Sequence, residues 1–173
     1  TLIQSVTGSG SLIAKSSLTG RFAKGTAPAQ QFGPFEYVLD NALAVSQESV
    51  SGKWSSGDKD DGIGVSIQSD ARGAFTGTTK GSGIGTCKIS GTIAHAEPGT
   101  AKNMYRITLT ATDAAPNTAD ACNLQLGLPY EGPSFIALVG AGRYVGNGYF
   151  RSIAAVTRTA AGGTLAIFLS KQR

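Results

Sequence analysis

The sequence predicts a mainly β protein: an antiparallel up-and-down barrel of about eight strands, with one short N-terminal helix and an extended N-terminal arm. Three observations carry this. Beyond Ser51, apolar residues repeatedly alternate with hydroxyl or charged residues, the period of a strand with one buried face. Clusters of turn-forming residues separate the alternating stretches. Composition agrees: 24 Gly and only 15% charged residues, against about a quarter charged in ordinary soluble chains, disfavour a helical bundle, a coiled coil or an acidic disordered tail.

Taken in order, residues 1–33 are rich in Ser, Thr, Gly and Ala, with Gly8-Ser9-Gly10-Ser11 and Gly25-Thr26-Ala27-Pro28. Leu12-Ile13-Ala14 suits a short strand; the rest has the composition of an arm or linker. Phe35, Val38, Leu39, Ala42 and Leu43 then recur at helical spacing after Pro34, which a first helical turn tolerates. This predicts a helix over 35–46, with a strand at 36–39 as the alternative. Residues 1–50 therefore form the arm, linker and helix, and residues 51–173 the barrel domain.

Within the barrel region, Ile63, Val65 and Ile67 alternate with Gly64, Ser66 and Gln68. Cys87, Ile89, Gly91 and Ile93 do the same, as do Tyr105, Ile107, Leu109 and Ala111, and Leu165, Ile167 and Leu169. One face is apolar and the other carries Thr, Ser or charge, as in an antiparallel sheet with one wet side. Turns are expected at Asp70–Gly73, Glu97–Gly99, Asp113–Asn117 and Ala161–Gly163. Glycines within strands (Gly64, Gly77, Gly91) suit tight curvature, which favours a small closed barrel. The apolar run Phe135–Val139 has strand length, and no run approaches the ~18 apolar residues of a membrane helix.

The opening hairpin reads Gly52-Lys53-Trp54, then Val65–Gly73, then Ala74-Phe75-Thr76-Gly77-Thr78-Thr79. It resembles the first hairpin of avidin-like and lipocalin-like barrels, over about 30 residues. The resemblance implies a small barrel but not biotin chemistry. Ser56 stands where that family places an Asn, Thr79 where it places a Tyr, and Trp54 is the only tryptophan. A looser, longer resemblance is to Gly/Thr-rich bacterial secreted or lipoprotein domains of uncharacterised function. Its pieces are Gly52-Lys53-Trp54, Gly85–Gly91 around Cys87, Tyr105–Thr112, Cys122 and Leu165–Leu169.

Cys87 and Cys122 are the only cysteines and form no C-x-x-C pair, so a structural disulfide is expected. That bond implies an extracytoplasmic location: secreted, periplasmic or cell surface. The start at Thr1, without a signal peptide, is what a processed exported chain would show. The net charge of +4 comes from basic residues scattered along the chain, so no specific nucleic-acid binding is expected.

Chemistry is sparsely signalled. Asp58, Asp60 and Asp61 before Gly62 offer hard oxygens for calcium, but position twelve of such a loop is Ser69 rather than Glu. His95, the single histidine, reads as a surface residue near the Glu97–Gly99 turn and has no nucleophile elbow to serve. The glycine clusters Gly81–Gly85 and Gly140–Gly142 lack dinucleotide-fingerprint spacing. No catalytic residue, cofactor or metal is therefore assigned. Trp54, Tyr130 and Tyr149 are the candidate ligand-facing aromatics. Specificity is expected in the loops around Ser55–Gly62, Ala114–Ala121 and Tyr130–Ser134. The function expected is a non-enzymatic exported barrel with a binding or cell-surface role, its partner an unknown small ligand or protein. The alternative is a structural subunit that self-assembles, its N-terminal arm adding a strand to a neighbouring sheet.

Overall fold

The computed structural model describes residues 6–37, 43–56, 64–81, 83–140 and 149–172. They form two compact units, Thr1–Ala42 and Leu43–Arg173. The second contains a closed barrel of eight antiparallel strands: β4 (Gly52–Ser55), β5 (Gly64–Ser69), β6 (Ala74–Lys80), β7 (Cys87–His95), β8 (Tyr105–Asp113), β9 (Tyr130–Gly140), β10 (Tyr149–Arg158) and β11 (Thr164–Lys171). Each strand pairs with its sequence neighbour, and β11 returns to β4 through Ser170 opposite Ser55 and Lys171 opposite Trp54. The up-and-down barrel expected from the alternation is present.

The alternation decides which residues fill it. Val65 and Ile67, Phe75 and Thr79, Cys87, Ile89 and Ile93, Tyr105, Ile107, Leu109 and Ala111 are all buried. So are Tyr130, Ile136, Ile153, Ala155, Leu165, Ile167 and Leu169. Burying each large aliphatic side chain contributes roughly 1.5–3 kcal/mol. At Gly91 an added Cβ would lie 1.9 Å from the Thr108 carbonyl oxygen, so β7 and β8 curve together only because that inward position has no side chain. The outer face of β5–β8 instead carries Ser, Thr, Lys and Arg. Over these four strands the pattern is the reverse of a membrane-spanning barrel's, which is apolar outside and polar within. No helix among the described residues is long and apolar enough to cross a membrane.

A 3-10 turn, Gln47–Val50, leads into β4 and closes one barrel end with buried Val50. Val45 and Val50 belong to the barrel core. The contact boundary therefore falls after Ala42, eight residues before the sequence boundary at 50.

The N-terminal unit differs from the expected arm. Its described residues form a three-stranded antiparallel sheet of β1 (Val6–Ile13), β2 (Ser17–Lys24) and β3 (Gln30–Glu36), in that order. The helix expected over 35–46 is absent from the described residues. Phe35 and Glu36 end β3, Leu43–Ser46 carry no helix, and residues 38–42 lie outside the described residues. Two features favour the strand. Pro34 lacks an amide hydrogen, which an edge strand such as β3 tolerates. A shift in register between Leu18 and Gly20 also sets both Phe32 and Phe35 against β2, where their rings stack at 6.0 Å.

Candidate functional site

The candidate site is the barrel end opposite the 3-10 turn. There β6 passes through residues 81–86 into β7, β8 through residues 114–129 into β9, and β10 through residues 159–163 into β11. The segment 114–129 is long for a hairpin connection, and loops of that size are commonly functional. It is also fixed in place. Cys122 is disulfide-bonded to Cys87, the first residue of β7, at 2.05 Å, as the cysteine count predicted.

Backbone and side-chain bonds complete the clamp. The Asp113 carboxylate accepts from the amides of Ala115 at 3.0 Å and Cys122 at 3.1 Å, an Asx-type turn that starts the loop. The amide of Thr86 donates to the Asp120 carbonyl at 2.7 Å, and that of Asn123 to the Ile84 carbonyl at 2.8 Å. Gly85 has φ +75°, and a Cβ there would lie 1.9 Å from the Ala121 carbonyl, so this crossing requires glycine. The Gln125 amide donates to the Tyr130 hydroxyl at 2.8 Å, and the Thr159 hydroxyl donates to the Gln125 side-chain oxygen. Ile84 and Leu124 pack down on the core. Leu126 and Leu128 point the other way, 48% and 39% exposed. The loop thus presents two apolar side chains from a backbone held on both flanks.

The sequence-predicted site residues fall as follows. Cys87 and Cys122 build the staple. Trp54 is fully buried at the other barrel end, its indole N–H donating to the Val50 carbonyl at 2.7 Å, with the Lys171 ammonium 5.3 Å above its ring. Tyr130 is buried beneath the stapled loop. Tyr149 opens β10, where its backbone pairs with Gly140. Trp54 and Tyr130 therefore occupy opposite ends of the barrel.

Of the three expected specificity loops, Ala114–Ala121 lies in the stapled segment. Tyr130–Ser134 is not a loop but the first half of β9, paired with β8; its alternation of buried Tyr130 and Ser134 with exposed Glu131 and Pro133 marks a strand. Ser55 ends β4 and Ser56 is fastened to Val65, while residues 57–63 lie outside the described residues, and with them the calcium reading of Asp58, Asp60 and Asp61. Elsewhere, no group of three or more metal-ligating side chains occurs among the described residues.

His95 is a correction: it is 6% exposed, not a surface residue. Its ring Nε2 lies 2.7 Å from the Lys102 carbonyl, an acceptor, so Nε2 carries the hydrogen. Its ring meets Tyr105 edge-on at 5.1 Å. The inward series Cys87, Ile89, Gly91, Ile93 continues to position 95, so the period already held that signal.

A second feature was not foreseen. An open groove of about 410 Å³ runs across the outer wall of β6–β8 between Thr76, Thr78, Lys88, Ser90, Thr110 and Thr112. Cross-strand register makes it a ladder: Thr76 opposite Ser90 opposite Thr110, and Thr78 opposite Lys88 opposite Thr112. No protein-family model, curated protein or solved structure matches the chain.

Proposed function

We propose that this chain is a non-enzymatic, exported β-barrel domain with a binding or cell-surface role, and that it recognises its partner through the stapled barrel end. The observation that carries this is the loop 114–129, locked by the Cys87–Cys122 disulfide while it exposes Leu126 and Leu128. A loop already ordered before contact loses less conformational freedom on binding. The disulfide supports export, because such bonds persist in oxidising compartments. The resemblance to avidin-like and lipocalin-like barrels belongs to this reading at the level of architecture; Trp54 and Tyr130 sit in the core with their polar ends bonded, which turns attention from the lumen to the loops. The occupant is a protein or small ligand with an apolar contact surface.

The test is a thermal-shift screen of glycans, lipids and peptides, paired with native mass spectrometry of protein from its natural source. A ligand that binds only the folded state raises Tm. The expected result is a Tm shift that Leu126→Ser with Leu128→Ser abolishes, while the unliganded Tm is unchanged. A shift that survives both substitutions, or the absence of any shift and any adduct, overturns the reading.

A second reading, a structural subunit of a surface assembly, is favoured by one specific observation. The N-terminal sheet leaves β1 and β3 as edges, with Val6, Leu12, Leu18, Phe22 and Phe35 exposed. Open edges add strands from other chains. Removing residues 1–42 then abolishes multimers under this reading, and leaves ligand binding intact under the first.

A further inference from the structure

The outer wall of the barrel is not uniform. Over the middle of β9–β11 the outward positions are apolar: Phe135 lies opposite Ala154, and Ala154 opposite Phe168. Val156 lies opposite Ala166 in the next row. Phe135 and Phe168 are each 50% exposed and Val156 62%. Large apolar side chains grouped on a surface mark an interaction site more often than the same residues scattered singly.

The row has a shape. Strands stand about 4.8 Å apart, so the two phenylalanines flank Ala154 across about 9–10 Å. A small residue between two large ones is a notch wide enough for one aromatic ring. The rim has a charge pattern too. One row beyond Val156, Glu131 lies opposite Arg158, and Arg106 borders the patch beside Pro133. Among the described residues, Glu131 and Arg158 have no ion-pair partner, since the one salt bridge among them joins Lys102 to Glu97. At the opposite edge the partly buried Ser170 pairs with the fully buried Ser152, so the polar rim is the one formed by Glu131, Arg158 and Arg106. An apolar centre with a polar rim is the anatomy of a protein interface.

We propose that this wall is a two-fold interface between two copies of the chain. A two-fold interface must be self-complementary: if residue i meets residue j, then j meets i. A rim bearing both Glu131 and Arg158 satisfies this, because Glu131 of each copy faces Arg158 of the other. The notch at Ala154 receives a phenylalanine from the second copy. The inference rests on residues of β8–β11 alone and uses neither the stapled loop nor the N-terminal sheet.

Sedimentation velocity of the full chain across a micromolar concentration series tests it. The expected result is a reversible monomer–dimer equilibrium that Phe135→Glu with Phe168→Glu abolishes. Both side chains point away from the core, so near-UV circular dichroism of Trp54 reports whether the variant remains folded. Glu131→Arg and Arg158→Glu should each weaken the dimer at least about tenfold, since like charges then face each other twice. An equimolar mixture of these two variants should restore association as a heterodimer. Thr110→Glu, on the hydroxylic wall, should leave the dimer unchanged. A monomer at every concentration overturns the proposal. So does a dimer indifferent to the phenylalanine substitutions, a mixture that fails to restore association, or self-association lost only when residues 1–42 are removed.

Discussion

The two ends of the barrel are closed by different means. At one end a short 3-10 turn is held without covalent bonds. The Trp54 indole donates to Val50, the Tyr105 hydroxyl donates to the Ser46 carbonyl at 2.8 Å, and Gln47 bridges the end of β7. That bridge uses both ends of one amide: its nitrogen donates to the Ile93 carbonyl at 2.8 Å, and its oxygen accepts from the His95 amide at 2.7 Å. At the other end a long loop is stapled by a disulfide and leaves two leucines in solvent. A plug made of core residues closes the barrel and exposes little. A stapled loop closes it too, and leaves Leu126 and Leu128 exposed. The contrast sets a noncovalent plug that buries its apolar side chains against a covalently fixed loop that exposes two.

The contrast is broken most severely at Trp54. Trp54→Ala empties the centre of the plug and should cost about 3–5 kcal/mol, read as a lowered denaturant midpoint. Hydrogen exchange should rise first over residues 43–50, with residues 114–129 still protected. Equal exposure of both ends would show that they do not close independently.

Removing the staple should cost slightly less. Cys87 and Cys122 are 35 residues apart, and closing a loop of that size stabilises by about 3–4 kcal/mol on the chain-entropy model. Cys87→Ala with Cys122→Ala should loosen residues 81–86 and 114–129, and should leave the environment of Trp54 unchanged by fluorescence. A change in Trp54 emission as large as that of Trp54's own neighbours in the plug, produced by substitution at Gln47, would contradict the division of labour.

Much of the barrel was legible because strand alternation is a local signal. The series Cys87, Ile89, Gly91, Ile93 specified one face of β7, and the register then buried that face. The staple followed from there being only two cysteines. The N-terminal sheet was harder to read. In β1 every residue is exposed, so no burial pattern was imposed on its Gly/Ser composition, and strand pairing alone organises it. The helical spacing of Phe35 and Leu43 misled because both residues answer to different neighbours: Phe35 to Phe32 in the sheet, Leu43 to the barrel core. The site was less legible still. Leu126 and Leu128 sit beside Gly127 and Pro129 in a stretch without period, and only the Cys122–Cys87 bond and the Asp113 turn give that stretch its form. The apolar wall depends on register across three strands, which the separate alternations of β9, β10 and β11 do not reveal.

The smallest expected effect separates the two ends by pH. Burial pushes the Tyr105 phenol above its ordinary value of 10.0, against the downward pull of the Ser49 hydroxyl bond and the Arg151 charge. The folded state thus favours the neutral phenol, while the unfolded chain ionises near pH 10. Above that pH the unfolded state has lost protons that the folded state keeps, so stability falls as pH rises from there toward the raised folded value. Below pH 10 the contribution is fully present. The loss should act at the plug, because the ionising oxygen is the one that donates to Ser46. Tyr105→Phe should cost about 1 kcal/mol at neutral pH through that lost bond, and should flatten the alkaline decline relative to the native chain. Urea denaturation of both proteins at neutral pH and above pH 10 measures the difference. Parallel declines would remove Tyr105 as the source, and would leave the two ends alike in their response to base.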